Sequence, residues 1–414
     1  MKVILVVGAR PNFMKAAPIL RAITQANRHS SDPITPVLVH TGQHYDAAMS
    51  DAFFVDLNLQ KPDINLGVGP GSHAWQTAEV MKKFETVLNS ERPDIVIVVG
   101  DVNSTVACAL VTAKISGTAR PLLAHVEAGL RSFDRSMPEE CNRVVTDHLS
   151  DLLFVTEESG LRNLENEGIS KDGVFFVGNT MIDSLLACHE RARKSAILTR
   201  LGLLRSEACN GSPRAVQQYA LLTLHRPANV DNVETFREIV EGLQDLAATI
   251  PIVFPVHPRT QQSILRNSLG RLFRTAPDDS TVGNPPAGVL IINPLGYLDF
   301  LCLMNHSCLV ITDSGGIQEE TTCLGVPCVT VRENTERPVT VEVGTNILAG
   351  VRRNSIRRAI QLQRVQRRKA NIPDKWDGHA AERIVDVMKS YKRIETGRVS
   401  DYSSDPTLSS EVCE

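Results

Sequence analysis

The chain lacks any apolar run long enough to span a bilayer. Its first such run, residues 3–7, stops at Gly8-Ala9-Arg10-Pro11 and is too short for the core of a signal peptide. A charge excess is also missing. The net charge is −3 with acidic and basic residues well mixed, which excludes a broad polyanion-binding surface and, with it, a nucleic-acid partner. None of the nine cysteines forms a C-x-x-C pair. An odd count without framework spacing reads as reduced thiols in a cytoplasmic protein. Cys302, Cys308, Cys323 and Cys328 lie in apolar runs and read as small core residues. No H-E-x-x-H, G-x-x-x-x-G-K or G-x-G-x-x-G occurs, which argues against a zinc protease, a P-loop NTPase and an NAD enzyme. No metal and no cofactor is therefore expected.

What is present is a repeated alternation. At 414 residues the chain exceeds one ordinary core, so two domains are expected. Short apolar runs at 3–7, 35–40, 95–99, 122–126, 152–155 and 174–177 alternate with amphipathic stretches. The pattern resumes at 219–224, 252–255, 289–292, 308–312 and 327–331. Continuous Val/Ile/Leu runs between helices imply parallel strands covered on both faces. The fold class expected is α/β, with two Rossmann-like doubly wound domains facing across a cleft. The first spans 1–183, the second 184–375, and the boundary lies within 183–200. A helical period at 380–392 is expected to return to the first domain, within a segment of about 376–393. Residues 396–414 are polar and expected to be disordered. The segment 274–288 is rich in breakers and reads as a surface loop, as does the turn Asn210-Gly211-Ser212-Pro213. The basic run 352–369 reads as a helix with a solvated face.

The most informative stretch is 310–338, VITDSGGIQEETTCLGVPCVTVRENTERP. A strand passes through Asp313-Ser314-Gly315-Gly316 into a helix. Unpartnered amides at such a helix start suit a phosphate, and Gly315 and Gly316 would let a ligand approach the backbone. Glu320 could accept from a vicinal diol such as a ribose. Turns of this type also occur without ligands; the surrounding Asp313, Glu319, Arg332, Glu333, Glu336 and Arg337 favour a site. Arg10 and Lys15 follow the first strand and are either phosphate partners or surface charges. Asp101 follows another strand, with Ser104 as a possible helix cap. Glu127 ends a third strand, and Pro138-Glu139-Glu140 opens a helix where the glutamates could simply complement its dipole. Asp101, Glu127 and Glu139 at one sheet edge are expected to raise one another's pKa values, which suits proton transfer. His225, beside Arg226 and Asn229, is favoured over His257, which reads as structural.

Six runs, GARPNFMKAAP, GDVNST, HVEAGLRSFDRSMPEECNR, VGNTMIDSL, TLHRPANVDN and TDSGGIQEETTCLGVPCVTVRENTERP, together resemble the non-hydrolysing UDP-N-acetylglucosamine 2-epimerases. The resemblance runs from Met1 to about Gly350. It implies the GT-B fold, a homodimer, no cofactor, and a UDP-sugar as the partner molecule. It implies that Arg10, Lys15, His225, Ser314, Gly315, Gly316, Glu320, Arg337 and Phe300 contact the substrate. Asp101, Glu127 and Glu139 would supply acid–base groups, with His225 near the reacting bond. The implied reaction interconverts UDP-GlcNAc and UDP-ManNAc, and supplies activated amino sugars for surface polysaccharide. UDP leaves by anti elimination to a 2-acetamidoglucal and adds back with a proton on the other face of C2. The chain departs from the family pattern at Asn12, Leu295, Tyr45-Asp46 and 67–73. Three alternatives stay open: a related sugar such as UDP-2,3-diacetamido-2,3-dideoxy-glucuronate, a GT-B glycosyltransferase using UDP-GlcNAc, and a silent UDP-sugar sensor.

Overall fold

A computed structural model of the chain describes residues 1–28, 30–43, 56–116, 120–204, 215–267, 269–275, 285–365 and 371–391. Among these residues two seven-stranded sheets form. The first runs, edge to edge, through β3 (Ile64–Asn65), β2 (Thr35–His40), β1 (Lys2–Val7), β4 (Ile95–Val99), β5 (Leu122–Ala128), β6 (Leu152–Val155) and β7 (Val174–Phe176). The second runs through β10 (Arg274–Thr275), β11 (Gly288–Ile292), β9 (Pro251–Pro255), β8 (Ala220–Thr223), β12 (Leu309–Thr312), β13 (Cys328–Thr330) and β14 (Asn346–Leu348). Every pairing within both sheets is parallel.

The apolar runs explain the layering. All five residues of β4 are buried, because helices cover both faces of the strand. One face of the first sheet belongs to a core containing Ile4, Val6, Phe84, Val96 and Val98. Its other face, with Leu5, Ile97, Phe154 and the helix Arg10–Asn27, joins a larger core. Each such buried aliphatic contributes about 1.5–3 kcal/mol of transfer free energy. The larger core continues through the helix Thr180–Ala192 to Tyr219, Leu301 and Leu303 of the second half. Asn179 starts that helix by accepting the Met181 N–H at 2.9 Å.

The helix Ala380–Ser390 lies against Arg10–Asn27 and Thr180–Ala192. It is held at its start by the Asp183 carboxylate, which accepts the N–H groups of Ala380 (3.2 Å) and Ala381 (2.7 Å). Trp376 is buried just before it and donates its indole N–H to the Thr156 carbonyl at 2.9 Å. The helix Arg353–Val365 buries Ile356, Ala359, Ile360 and Gln363 and leaves most of its arginines outward.

Three strands have no apolar run to announce them: Ile64–Asn65, Arg274–Thr275 and Asn346–Leu348. All are two or three residues long and sit at sheet edges, where one pairing neighbour suffices. The segment 274–288 is accordingly not all loop, since its two ends enter β10 and β11 and residues 276–284 lie outside the described set. The Asn210 turn, Tyr45-Asp46 and the tail after Tyr391 lie outside it too.

The strand order locates a site. In the first sheet it reverses between β1 and β4; in the second it reverses between β8 and β12. Ligands of open α/β sheets bind beyond the carboxyl ends of the strands at such reversals. The residues there are Gly8-Ala9-Arg10 and Gly100-Asp101 on one side, His225-Arg226 and Asp313-Ser314-Gly315 on the other.

Candidate active site

The β1 turn is built by Asn12. Its side-chain oxygen accepts the N–H groups of Gly8 (3.0 Å) and Ala9 (2.9 Å), and its amide donates to the Val99 carbonyl at 2.9 Å. A glutamate here could not make that last bond, so Asn12 ties the β1 turn to the end of β4. Arg10 opens the following helix, and Lys15 is buried one turn further on. Lys15 forms a short ion pair with Glu127.

Glu127 has a backbone that side chains rarely adopt, with φ of 76°. The register between β5 and β6 shifts there, between Val126 and Ala128. A bulge of this kind re-aims one side chain. It turns the Glu127 carboxylate towards the crevice, where the second half meets it. Arg337 Nη2 lies 3.2 Å from Glu127 Oε1. Arg337 Nε lies 2.6 Å from Glu319 Oε1, at angles that make an ion contact rather than a hydrogen bond. Gly100 allows this packing: a Cβ there would come within 2.8 Å of Lys15 Nζ.

Asp101 pairs closely with Arg143, which also donates to Glu140 Oε2 at 2.6 Å. Burial pushes the Asp101 carboxyl up, but Arg143, Lys15 and Arg337 outweigh it and hold the group below its ordinary value. The expected mutual raising of three carboxyl pKa values is therefore wrong for Asp101. Cations surround it, so opposite charge decides the sign. Glu139 is half-buried in the first turn of the helix Pro138–Leu149, near enough to Arg226 to influence it. Its neighbour Glu140 is structural, accepting from Ser132 N–H, Ser132 O–H and Phe133 N–H.

On the second half, His225 is about half exposed and its Nδ1 lies 3.0 Å from Asp313. Asp313 is fully buried and also accepts from the N–H groups of His225 and Arg226 and from the Asn229 amide. Burial pushes its carboxyl up, yet His225 and the two N–H groups bring it below the ordinary value. Such a group stabilises the fold above about pH 4, and the contribution is lost as pH falls through the lowered value. Asp313→Asn is expected to cost about 2 kcal/mol near neutral pH, because an amide cannot accept from all these donors. Urea titrations at pH 7 and at acid pH would check this. An equal deficit at both contradicts the linkage.

One expectation needs correction. Ser104 does not cap its helix; it lies inside the first turn and bonds the side chains of Thr41 and Gln43, both at 2.7 Å. Gly315 and Gly316 leave no room for a side chain. A Cβ would meet Glu336 at 2.7 Å on the first and Met181 at 3.0 Å on the second. Ser314 stands at the N-cap position with its N–H on Thr312 Oγ1 at 3.0 Å. Glu320 is buried, and accepts the Tyr297 O–H at 2.8 Å. Phe300 lies partly buried on the helix Tyr297–His306, packed against the core. His257 is exposed beyond β9.

The pairings themselves were not visible beforehand. Arg226 and Arg332 converge on Glu336, at 3.5 and 2.7 Å. Burial alone would raise the Glu336 carboxyl, but Arg337, Arg332 and Arg226 lower it strongly. Tyr297 and Glu157 also went unmarked. Burial lifts the Glu157 carboxyl to about 7, against the hydrogen bond from Ser159. The crevice is closed by contacts between halves: Arg337 with Glu127, Arg226 Nη1 with Met137 Sδ at 3.8 Å, and Asn334 with Asp134 at 3.4 Å. Among the described residues no cluster of His, Cys, Asp and Glu could hold a metal ion, and no helix is long and apolar enough to cross a membrane.

Two parallel sheets that meet at the carboxyl ends of their strands, around a crevice of paired charges, define a two-domain α/β enzyme of GT-B type. The family model of UDP-N-acetylglucosamine 2-epimerase matches residues 26–389. The UDP-N-acetylglucosamine 2-epimerase of Methanocaldococcus jannaschii is 41% identical over 390 residues, 94% of this chain and 99% of that protein. The UDP-2,3-diacetamido-2,3-dideoxy-D-glucuronate 2-epimerase of Pseudomonas aeruginosa is 38% identical over 359 residues, 86% and 90% of the two chains. In structure, the M. jannaschii enzyme in complex with UDP-GlcNAc and UDP superposes with a TM-score of 0.80 at 39% identity, covering 94% of this chain and 99% of that one. The Neisseria meningitidis enzyme bound to UDP-GlcNAc gives 0.77 at 30%, covering 94% and 100%. The chain belongs to the UDP-N-acetylglucosamine 2-epimerase family.

Proposed function

We propose that this chain interconverts UDP-N-acetylglucosamine and UDP-N-acetylmannosamine by inverting C2 of the sugar. The observation that carries the reading is the contact of Arg337 with Glu127. It brings a cation from the nucleotide half against a carboxylate from the acid-bearing half, in one closed crevice.

The C2 hydrogen is not next to a carbonyl, so its removal needs a leaving group at C1. A carboxylate takes the C2 proton while the C1–O bond breaks. Its electron pair leaves with the diphosphate, and a C1–C2 double bond forms. UDP then adds back to C1, and a proton is delivered to the opposite face of C2. Asp101, Glu127 and Glu139 are the carboxyl groups in reach of such a sugar, with His225 across the crevice. Lys15, Arg10 and Arg337 would stabilise the departing diphosphate, at the helix starts that follow Ala9 and Ser314. Glu320 would accept from the ribose. Closure keeps both intermediates bound between half-reactions.

We read residues 1–183 with the returning helix as one unit and 184–375 as the other. We also place the protein in the cytoplasm as a homodimer. The seven described cysteines are all free, which fits a reducing compartment.

The test is proton NMR of a UDP-sugar panel in deuterated water. UDP-GlcNAc is expected to gain deuterium at C2 without an acceptor. Exchange confined to UDP-2,3-diacetamido-2,3-dideoxy-glucuronate would move the activity to that sugar. Transfer to an acceptor without exchange would make the chain a glycosyltransferase. Tight UDP binding with no turnover of any sugar would make it a sensor.

A further inference from the structure

We propose that His125 and Asp147 are positioning residues, forming a buried ion clamp that holds the Asp101 turn and the Glu127 bulge in fixed relation. The role assigned rests on the epimerase reading of the crevice; the clamp itself does not.

His125 lies on β5, two residues before Glu127, and is wholly buried. Its Nε2 is 2.8 Å from the Gly100 carbonyl oxygen. A carbonyl only accepts, so Nε2 carries a hydrogen. Its Nδ1 is 2.6 Å from Asp147 Oδ1. The other Asp147 oxygen accepts the Gly129 N–H at 3.0 Å and lies 2.7 Å from Arg131 Nη1. Arg131 in turn makes two bonds of 2.7 Å to Glu167. Burial pushes the Asp147 carboxyl up, but His125 and Arg131 bring it below its ordinary value. Asp147 is thus an anion, and Nδ1 must donate as well. The groups facing the ring are therefore one carboxylate, its arginine and one carbonyl, and both ring nitrogens meet an acceptor.

The clamp grips the bulge from both ends. His125 lies before Glu127 and Gly129 after it, and both bind the same Asp147. Glu127 keeps its left-handed backbone because its flanks are over-determined. Through Nε2 the ring also holds Gly100, whose own φ of 66° sets where Asp101 emerges. The N–H of Gly100 donates back to the Val126 carbonyl at 3.0 Å. One buried ring therefore sets the spacing of two of the three acids, without touching the substrate.

Two measurements on the full chain test this. In protein labelled with 15N-histidine, the His125 ring is identified by its loss in His125→Gln. Both of its nitrogens are expected to carry a hydrogen in the folded protein, since each faces an acceptor. A ring nitrogen without a hydrogen in the folded protein overturns the clamp. The second measurement is turnover. His125→Asn keeps a donor towards Asp147 and loses the tether to Gly100; His125→Gln keeps the reach to Gly100. The Asn variant is expected to lose about 10–100-fold in kcat while UDP affinity stays within about threefold. Gln is expected to recover part of that loss. Equal losses in kcat and UDP affinity, or no recovery by Gln, would reduce the cluster to a fold element. A parent without C2 exchange would sink the epimerase reading, and the ring spectrum would still decide the clamp.

Discussion

Glu127→Gln should bind UDP about tenfold tighter than the parent while turning over about 10²–10⁴-fold more slowly. The slow turnover follows from losing a carboxylate that exchanges protons with C2. The tighter binding follows from the competition in the crevice. Both oxygens of Glu127 are taken, one by Lys15 and one by Arg337. Those two cations are the ones proposed to hold the diphosphate. An incoming UDP must draw them away from Glu127, and an amide puts up less resistance. Two unit charges about 4 Å apart at an effective dielectric of about 20 attract by about 4 kcal/mol, so recovering a third of that gives the tenfold. The bulge survives the change, because glutamine fits the same backbone. The unliganded variant should unfold earlier, since Lys15 and Arg337 stay buried and lose a counter-charge. Saturating UDP should raise its melting temperature more than it raises the parent's. Calorimetry with UDP decides the matter. Equal or weaker binding ends the competition argument, and turnover within threefold of the parent removes Glu127 from the chemistry.

The same cluster shows where reading residues in order stops working. The strands and their order of alternation were legible, since β4 and β12 are continuous apolar runs buried on both faces. The cleft edge was legible as well, because Asp101, His225 and Asp313 each follow such a run directly. What a one-dimensional pattern does not carry is which charge meets which. Arg143 reaches Asp101 across 42 positions, and Arg337 reaches Glu127 across 210. The first pair is set by β4 and β5 lying side by side, the second by the packing of the two sheets. Counting three acids at one edge predicted mutual repulsion; for Asp101 the cations around it reverse the sign. The glycines carry a constraint that a local pattern does not state: a Cβ on Gly315 or Gly316 would press on Glu336 or Met181. Asp313 was visible only as one charge among several. Its work as the acceptor that shapes the His225 loop depends on β8 and β12 being neighbours, which no local signal states.

Glu320→Gln should make the unliganded protein more stable at pH 8 and leave it nearly unchanged at pH 5. Burial lifts the Glu320 carboxyl from an ordinary 4.5 to about 7, and the Tyr297 hydroxyl offsets only part of that. In the folded chain the group keeps its proton up to about pH 7; in the unfolded chain it loses it near 4.5. Between those values the folded state binds more protons, so parent stability falls as pH rises. The loss is complete above about pH 7 and amounts to on the order of 3 kcal/mol. Glutamine removes the term and still accepts the Tyr297 O–H. Glu157, whose carboxyl burial also lifts to about 7, is present in both proteins and cancels in the comparison. A stability difference that does not grow between pH 5 and pH 8 would show that burial is not what governs this group. The natural residue is then kept for what it does with ligand. A ribose diol donating to Glu320 stabilises the anion, so UDP binding near pH 7 should release a proton, visible as a binding enthalpy that depends on the buffer. The variant should show no such release and should bind UDP more weakly, by about 1.5–3 kcal/mol, the worth of hydrogen bonds to a charged acceptor. A site that accepts an unfavourable buried acid in the empty state, and relieves it only when the nucleotide arrives, ties affinity to a group whose removal would otherwise stabilise the fold.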